Sequence, residues 1–66
     1  MQIYINGEEQ QVSNDTTMAQ LIEQLELQDQ RLAVEVNEEL VPRSTFPQHR
    51  LQAGDRVEIV HAIGGG

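Results

Sequence analysis

Only one stretch of this chain carries a helical stripe, and nearly everything around it alternates. Met18, Leu21, Ile22 and Leu25 recur at i, i+3, i+4 and i+7, which makes one face of a helix apolar. Gln20, Glu23, Gln24 and Glu26 fall off that stripe. Thr17 is placed to cap the helix, with Gln20 completing a capping box, and Thr16 is the rival cap. Asp15 lies near the positive end of the helix dipole, and Gln28-Asp29-Gln30 ends the element. A helix with a single apolar face needs one apolar surface to lie on, and the flanking segments supply strands. Gln2 to Asn6 alternates polar and apolar, and Asn6-Gly7 is a strong hairpin signal. Glu8 to Val12 reads as a returning strand polar enough for a sheet edge, followed by a loop at Ser13-Asn14-Asp15. Arg31 to Asn37 places Leu32, Val34 and Val36 on one side and Ala33, Glu35 and Asn37 on the other. Asn37-Glu38-Glu39 turns the chain into a short strand at Leu40-Val41, stopped by Pro42. Ser44 to Arg50 is irregular, with Phe46 as its anchor in the core and Leu51 as a further apolar contact. After a turn at Ala53-Gly54-Asp55, Arg56 to Ala62 forms the last strand.

Sixty-six residues make one domain, 1–66, whose core is small. There is no cysteine, which removes disulfides, thiolate metal sites and a cysteine nucleophile. One helix against four to five strands predicts an α+β fold of two layers, one helix packed on one mixed sheet. In the last strand Val57 and Ile59 face one way and Val60 and Ala62 the other. Apolar character on both sides predicts a central place in the sheet. A central last strand lies parallel to the first, and a right-handed crossover then puts the helix on one face. This is the β-grasp arrangement, seen also in ubiquitin, and it sends the C-terminus out of the middle of the sheet.

Composition narrows the partners. Eleven acidic residues against four arginines and no lysine give a net charge of −7. Nucleic acid needs cations on its phosphates, and the lone Tyr4 and Phe46 make no stacking platform. An acidic surface suits a basic partner, or simply keeps a small domain soluble. With no long apolar run, leader or lipidation motif, a cytoplasmic protein without a membrane partner is expected. His49 and His61, twelve residues apart, make no metal site without further ligands. Glu8-Glu9 and Glu38-Glu39 fall in or beside turns, where carboxylates are solvated, and no strained nucleophile turn is present. No catalytic residue is therefore expected on the chain. Arg31, Arg43, Arg50 and Arg56 are scattered.

The sequence closes on Gly64-Gly65-Gly66. Three residues without Cβ atoms let another surface approach closely, and they make a thin probe tipped by one carboxylate. The same glycines would also suit an inert frayed end. A flexible tail over 63–66 is expected, and Ile63 to Gly66 in extended form reaches roughly 13–14 Å. Ile63 offers an apolar contact that would fix register in a partner's tunnel. A phosphate-binding role is excluded because no helix follows the glycines.

Taken together these segments resemble the ThiS family, the sulfur carriers of thiamin (thiazole) biosynthesis. The likeness rests on Met1-Gln2-Ile3-Tyr4-Ile5-Asn6-Gly7 and on Thr17-Met18-Ala19-Gln20-Leu21-Ile22. It extends to Ala33-Val34-Glu35-Val36-Asn37 with Leu40-Val41-Pro42-Arg43, similar to the family's V-x-V-N and V-P-R. Gly54-Asp55-Arg56-Val57-Glu58-Ile59-Val60 and the Gly65-Gly66 end complete it, so that it covers essentially the whole chain. Phe46 stands where the family often has tryptophan. The small subunit of molybdopterin synthase is a neighbouring type, but its approach to the glycines usually bears proline, and Val60-His61-Ala62-Ile63-Gly64 has none.

The resemblance implies a carrier rather than an enzyme, with no cofactor of its own. It implies that the Gly66 carboxylate is adenylated by a ThiF-like enzyme. A sulfur donor fed by a cysteine desulfurase then converts it to a thiocarboxylate, which gives its sulfur to a ThiG-like thiazole synthase. Ile63, Gly64 and Gly65 would be the part that enters the partner. Two alternatives stand beside this one: a sulfur carrier of the molybdopterin-synthase or another type, and a non-covalent ubiquitin-like binding module.

Overall fold

The computed structural model describes residues 1–61. Strands β1 (Gln2–Ile5) and β2 (Glu8–Gln11) are followed by helix α1 (Met18–Gln24). Then come β3 (Leu32–Val36), β4 (Glu39–Leu40), a 3-10 turn at Arg43–Thr45, and β5 (Arg56–His61). The strands form one sheet in the order β2-β1-β5-β3-β4. Strand β5 is central, parallel to β1 and antiparallel to β3. This is the expected α+β, β-grasp topology, with the final strand mounted between two others.

Local sequence explains each join. At the β1–β2 turn Asn6 and Gly7 have φ of 50° and 86°, the positive values that a two-residue hairpin loop with the right twist requires. The β3–β4 turn repeats the device with Asn37 and Glu38, at φ 52° and 70°. The helix starts as the sequence predicts. The Thr17 hydroxyl accepts the Gln20 N–H at 3.2 Å, and Gln20 Oε1 accepts the Thr17 N–H at 2.9 Å. Thr16, the rival cap, is instead buried and donates its hydroxyl to the Ser13 carbonyl.

The helix packs Met18, Leu21 and Ile22 onto the inner sheet face, where Ile3, Val34, Val36, Val57 and Ile59 are buried. Val12, Val41, Phe46 and Leu51 complete the cluster, so Phe46 anchors its loop as expected. Four boundaries differ from the sequence expectation. The helix ends at Gln24, well before Gln28-Asp29-Gln30, because a C-terminal cap forms early. Glu26 takes φ 59°, its N–H bonds the Glu23 carbonyl, and the Leu27 N–H reaches back to Ile22 O at 3.0 Å. The short strand is Glu39–Leu40 rather than Leu40-Val41, and Val41 turns inward. Strand β2 stops at Gln11, with Val12 turned into the core. Part of the segment expected to be irregular forms the 3-10 turn, whose Phe46 N–H closes on the Arg43 carbonyl.

One argument for the central strand needs correcting. Val60 is 56% exposed, so β5 is not apolar on two buried sides. Its place in the sheet is central, yet its outer face meets no second layer among the described residues. Ala62, expected as the strand's last residue, lies outside the described residues.

Candidate functional site

The residues expected to do the chemistry, Ile63, Gly64, Gly65 and Gly66, also lie outside the described residues. What the structure gives is the mount from which they follow. Strand β5 is paired with β3 from Val36↔Val57 to Leu32↔His61, through its last described residue. On the other side β1 pairs with it only at Tyr4↔Arg56 and Ile5↔Val57 before turning away. The Asn6 N–H then bonds the Val57 carbonyl at 2.8 Å. The Asn6 side chain continues the pairing. Its Oδ1 accepts the Ile59 N–H at 2.8 Å, and its Nδ2 donates to the Ile59 carbonyl at 3.2 Å. At the opposite end of β5, Asn37 Oδ1 accepts the Arg56 N–H at 3.0 Å and Asn37 Nδ2 donates to Asp55 Oδ1 at 3.1 Å. Asp55 is buried, and its other oxygen accepts the Gln52 N–H. Neither asparagine side chain was singled out from sequence. Their partners lie far along the chain, and the only local signal is asparagine at a turn position that wants positive φ.

The outer sheet face is acidic with apolar spots. Glu35 and Glu58 sit directly opposite each other on β3 and β5, both exposed. Such a like-charge cross-strand pair is unfavourable for stability. Ala33 lies opposite Val60, and Leu40, 67% exposed, lies opposite Glu35. The sheet therefore presents carboxylates interleaved with uncovered aliphatic groups.

The remaining candidates are dispersed. His49 sits beside the helix start, where its carbonyl accepts the Met18 N–H, whereas His61 ends β5. No group of three or more His, Asp or Glu side chains is gathered for a metal among the described residues. Glu8, Glu9, Glu38 and Glu39 are all exposed. Arg43 works structurally: its guanidinium donates to the carbonyls of Gln28 and Gln30, at 3.3 and 2.8 Å, and ties down the connection after the helix. Arg50 pairs with Asp15 at 3.4 Å between two well-exposed side chains, a contact of little energetic weight.

Comparison with known proteins extends this picture over the tail. A family model described as the ThiS family matches residues 3–66. The sulfur carrier protein ThiS of Escherichia coli is 35% identical over 66 residues, all of both chains. A thiazole synthase from Paramagnetospirillum magneticum is 42% identical over 66 residues, all of this chain but 20% of that protein. The chain thus spans about one fifth of the length of the thiazole synthase relatives it matches. Among solved structures, the thiamine biosynthesis protein ThiS of Geobacter metallireducens superposes with a TM-score of 0.87 at 29% identity, covering both chains fully. A match through the last glycine, a full-length carrier relative and a shared β-grasp fold agree: the chain belongs to the ThiS family.

Proposed function

We propose that this chain is a sulfur carrier of thiamin biosynthesis and that the Gly66 carboxylate is its working group. The observation that carries the reading is the family match, which runs from Ile3 to the final glycine and so includes the tail. A relative of the same length is named a sulfur carrier protein. A carboxylate is a poor electrophile because oxide is a poor leaving group. One carboxylate oxygen attacks the α-phosphorus of ATP, pyrophosphate departs, and an acyl-adenylate forms. A persulfide sulfur then attacks the acyl carbon and AMP leaves; a thiol reductant cleaves the S–S bond of the resulting acyl disulfide, so that one oxygen is replaced by sulfur. Gly64 and Gly65 leave that carbon unhindered. The carrier contributes no acid or base to this scheme: a ThiF-like enzyme supplies the activation and a cysteine-desulfurase system the sulfur.

The recipient we propose is a ThiG-like thiazole synthase. Its support is that a stretch similar to this whole chain occurs within proteins named thiazole synthase. The acidic outer face, with Glu35 and Glu58 beside Val60 and Leu40, suits a partner that is basic and partly apolar. No helix among the described residues is long and apolar enough to cross a membrane, in keeping with the cytoplasmic setting we propose.

Intact-mass measurement tests the reading. Incubated with the cognate adenylating enzyme, ATP and a sulfur source, the chain should gain the mass difference of one oxygen exchanged for sulfur. Fragmentation should place it on Gly66. An unchanged mass with an enzyme that loads another carrier refutes the proposal. A non-covalent binding module would show no mass change and would keep its partner affinity without the tail.

A further inference from the structure

We propose that Asn6 is a positioning residue for the tail, its side-chain amide acting as a surrogate strand partner that fixes the second half of β5 at Ile59. The inference rests on the carrier reading for its purpose, though not for its geometry. Strand β1 is too short to accompany β5 to its end. Its backbone gives out at Asn6, whose N–H bonds Val57 O, and the next β5 residue that faces this side is Ile59. The Asn6 amide offers Ile59 one acceptor and one donor, at 2.8 and 3.2 Å, the pair that two successive facing residues of a longer parallel neighbour would offer. Parallel pairing is thereby prolonged beyond the point where β1 turns into β2.

The residue type is narrowly constrained. The position needs φ of 50°, which asparagine tolerates better than most side chains. It needs a donor and an acceptor on one short arm. Aspartate keeps the acceptor but sets a second oxygen against the Ile59 carbonyl, and glycine keeps the backbone angle but has neither group. Asn37 performs the matching task at the other end, on Arg56. Two turn asparagines, both in left-handed backbone, therefore hold the central strand at its first residue, Arg56, and at Ile59, two residues before its end. Only the second lies next to the segment that must be presented. Five residues follow His61 to the terminal carboxylate, so the strand end sets the point from which they must reach a partner. A strand end held in advance spares the partner the cost of ordering it on docking.

The test uses the full chain, with Asn6→Gly, Asn6→Asp and, as a control of similar structural cost, Asn37→Gly. Two readings are taken: amide exchange at Ile59, and ATP–pyrophosphate exchange with the cognate adenylating enzyme. Asn6→Gly should speed exchange at Ile59 while the amides of β3 stay protected. It should lower kcat/KM by roughly tenfold, the scale of one to two net hydrogen bonds, mainly through KM. Asn6→Asp should lower kcat/KM as well while still protecting the Ile59 amide, because it keeps the acceptor and loses the donor. Asn37→Gly should destabilise the fold yet keep the wild-type kcat/KM. Unchanged Ile59 exchange in Asn6→Gly overturns the clamp. An equal loss of kcat/KM in Asn37→Gly, or none in Asn6→Gly, overturns the positioning role. A wild-type chain that drives no pyrophosphate exchange overturns the carrier reading and the role with it, and Ile59 exchange still decides the clamp on its own.

Discussion

Glu26 and Glu38 occupy backbone conformations in which glycine is the cheaper residue. Glu26 has φ 59° just past the helix end, and Glu38 has φ 70° in the second position of a hairpin loop. A side chain in left-handed backbone costs about 1–2 kcal/mol, partly offset in any replacement by the entropy glycine loses on folding. Glu26→Gly and Glu38→Gly should therefore each raise the unfolding free energy, by roughly 0.5–1 kcal/mol, read as a higher urea midpoint at unchanged slope. At this scale legibility followed locality. The Thr17–Gln20 capping box could be read because both partners lie within one turn. The early helix end could not be read, because its usual sign is a glycine and glutamate stands there. The asparagine contacts to Ile59 and Arg56 were invisible because the chain separates their partners widely, by 53 residues in the case of Asn6 and Ile59.

At the scale of elements, the sheet has one dry face and one wet face, and the sequence hid the difference in β5. Val34 and Val60 are both valines on inner strands, but Val34 is 1% exposed and Val60 is 56% exposed. Val34→Ala removes two methyl groups from a packed site and should cost roughly 2 kcal/mol, whereas Val60→Ala should fall within about 0.5 kcal/mol of wild type. Equal losses in thermal or urea unfolding would mean that a second layer covers the outer face. The central position of β5 was read from apolar residues on both its sides; the position holds, but Val60 is not the buried residue that argument took it for. An aliphatic side chain on the open face reads in sequence like one in a core. The Glu35–Glu58 pair on that same face is a further mark of it. Glu35→Lys should replace repulsion across β3 and β5 with attraction and gain about 0.5 kcal/mol at low ionic strength. The gain should shrink in about 1 M salt, where the screening length falls to about 3 Å.

Across the whole molecule, the buried core and the group proposed to react lie in different parts of the chain. Every buried apolar side chain among the described residues lies at or before Ile59. The group proposed to react lies at Gly66. That separation explains why a candidate site could be proposed from sequence without the fold's details. A terminal carboxylate on glycines needs no constellation of side chains brought together by folding, so linear order suffices to propose it. The acidic outer face had no such signature, because it is assembled from β3, β4 and β5 and exists only once they pair. The separation also predicts how function and stability respond to change at the tail. Deleting Gly66 leaves Gly65 as the terminal residue, with a carboxylate of the same chemistry set one residue short. Adding an alanine after Gly66 moves the carboxylate outward and puts a Cβ beside it. Reacting groups must meet within about 3–3.5 Å, and one extended residue shifts the carboxylate by about 3.3–3.6 Å. Both variants should therefore lose sulfur loading, measured by intact mass, while their melting temperatures stay at the wild-type value. Loading that survives either change would mean that the partner recognises the folded body and tolerates slack in the tail. A falling melting temperature would instead mean that the last residues contribute to the core.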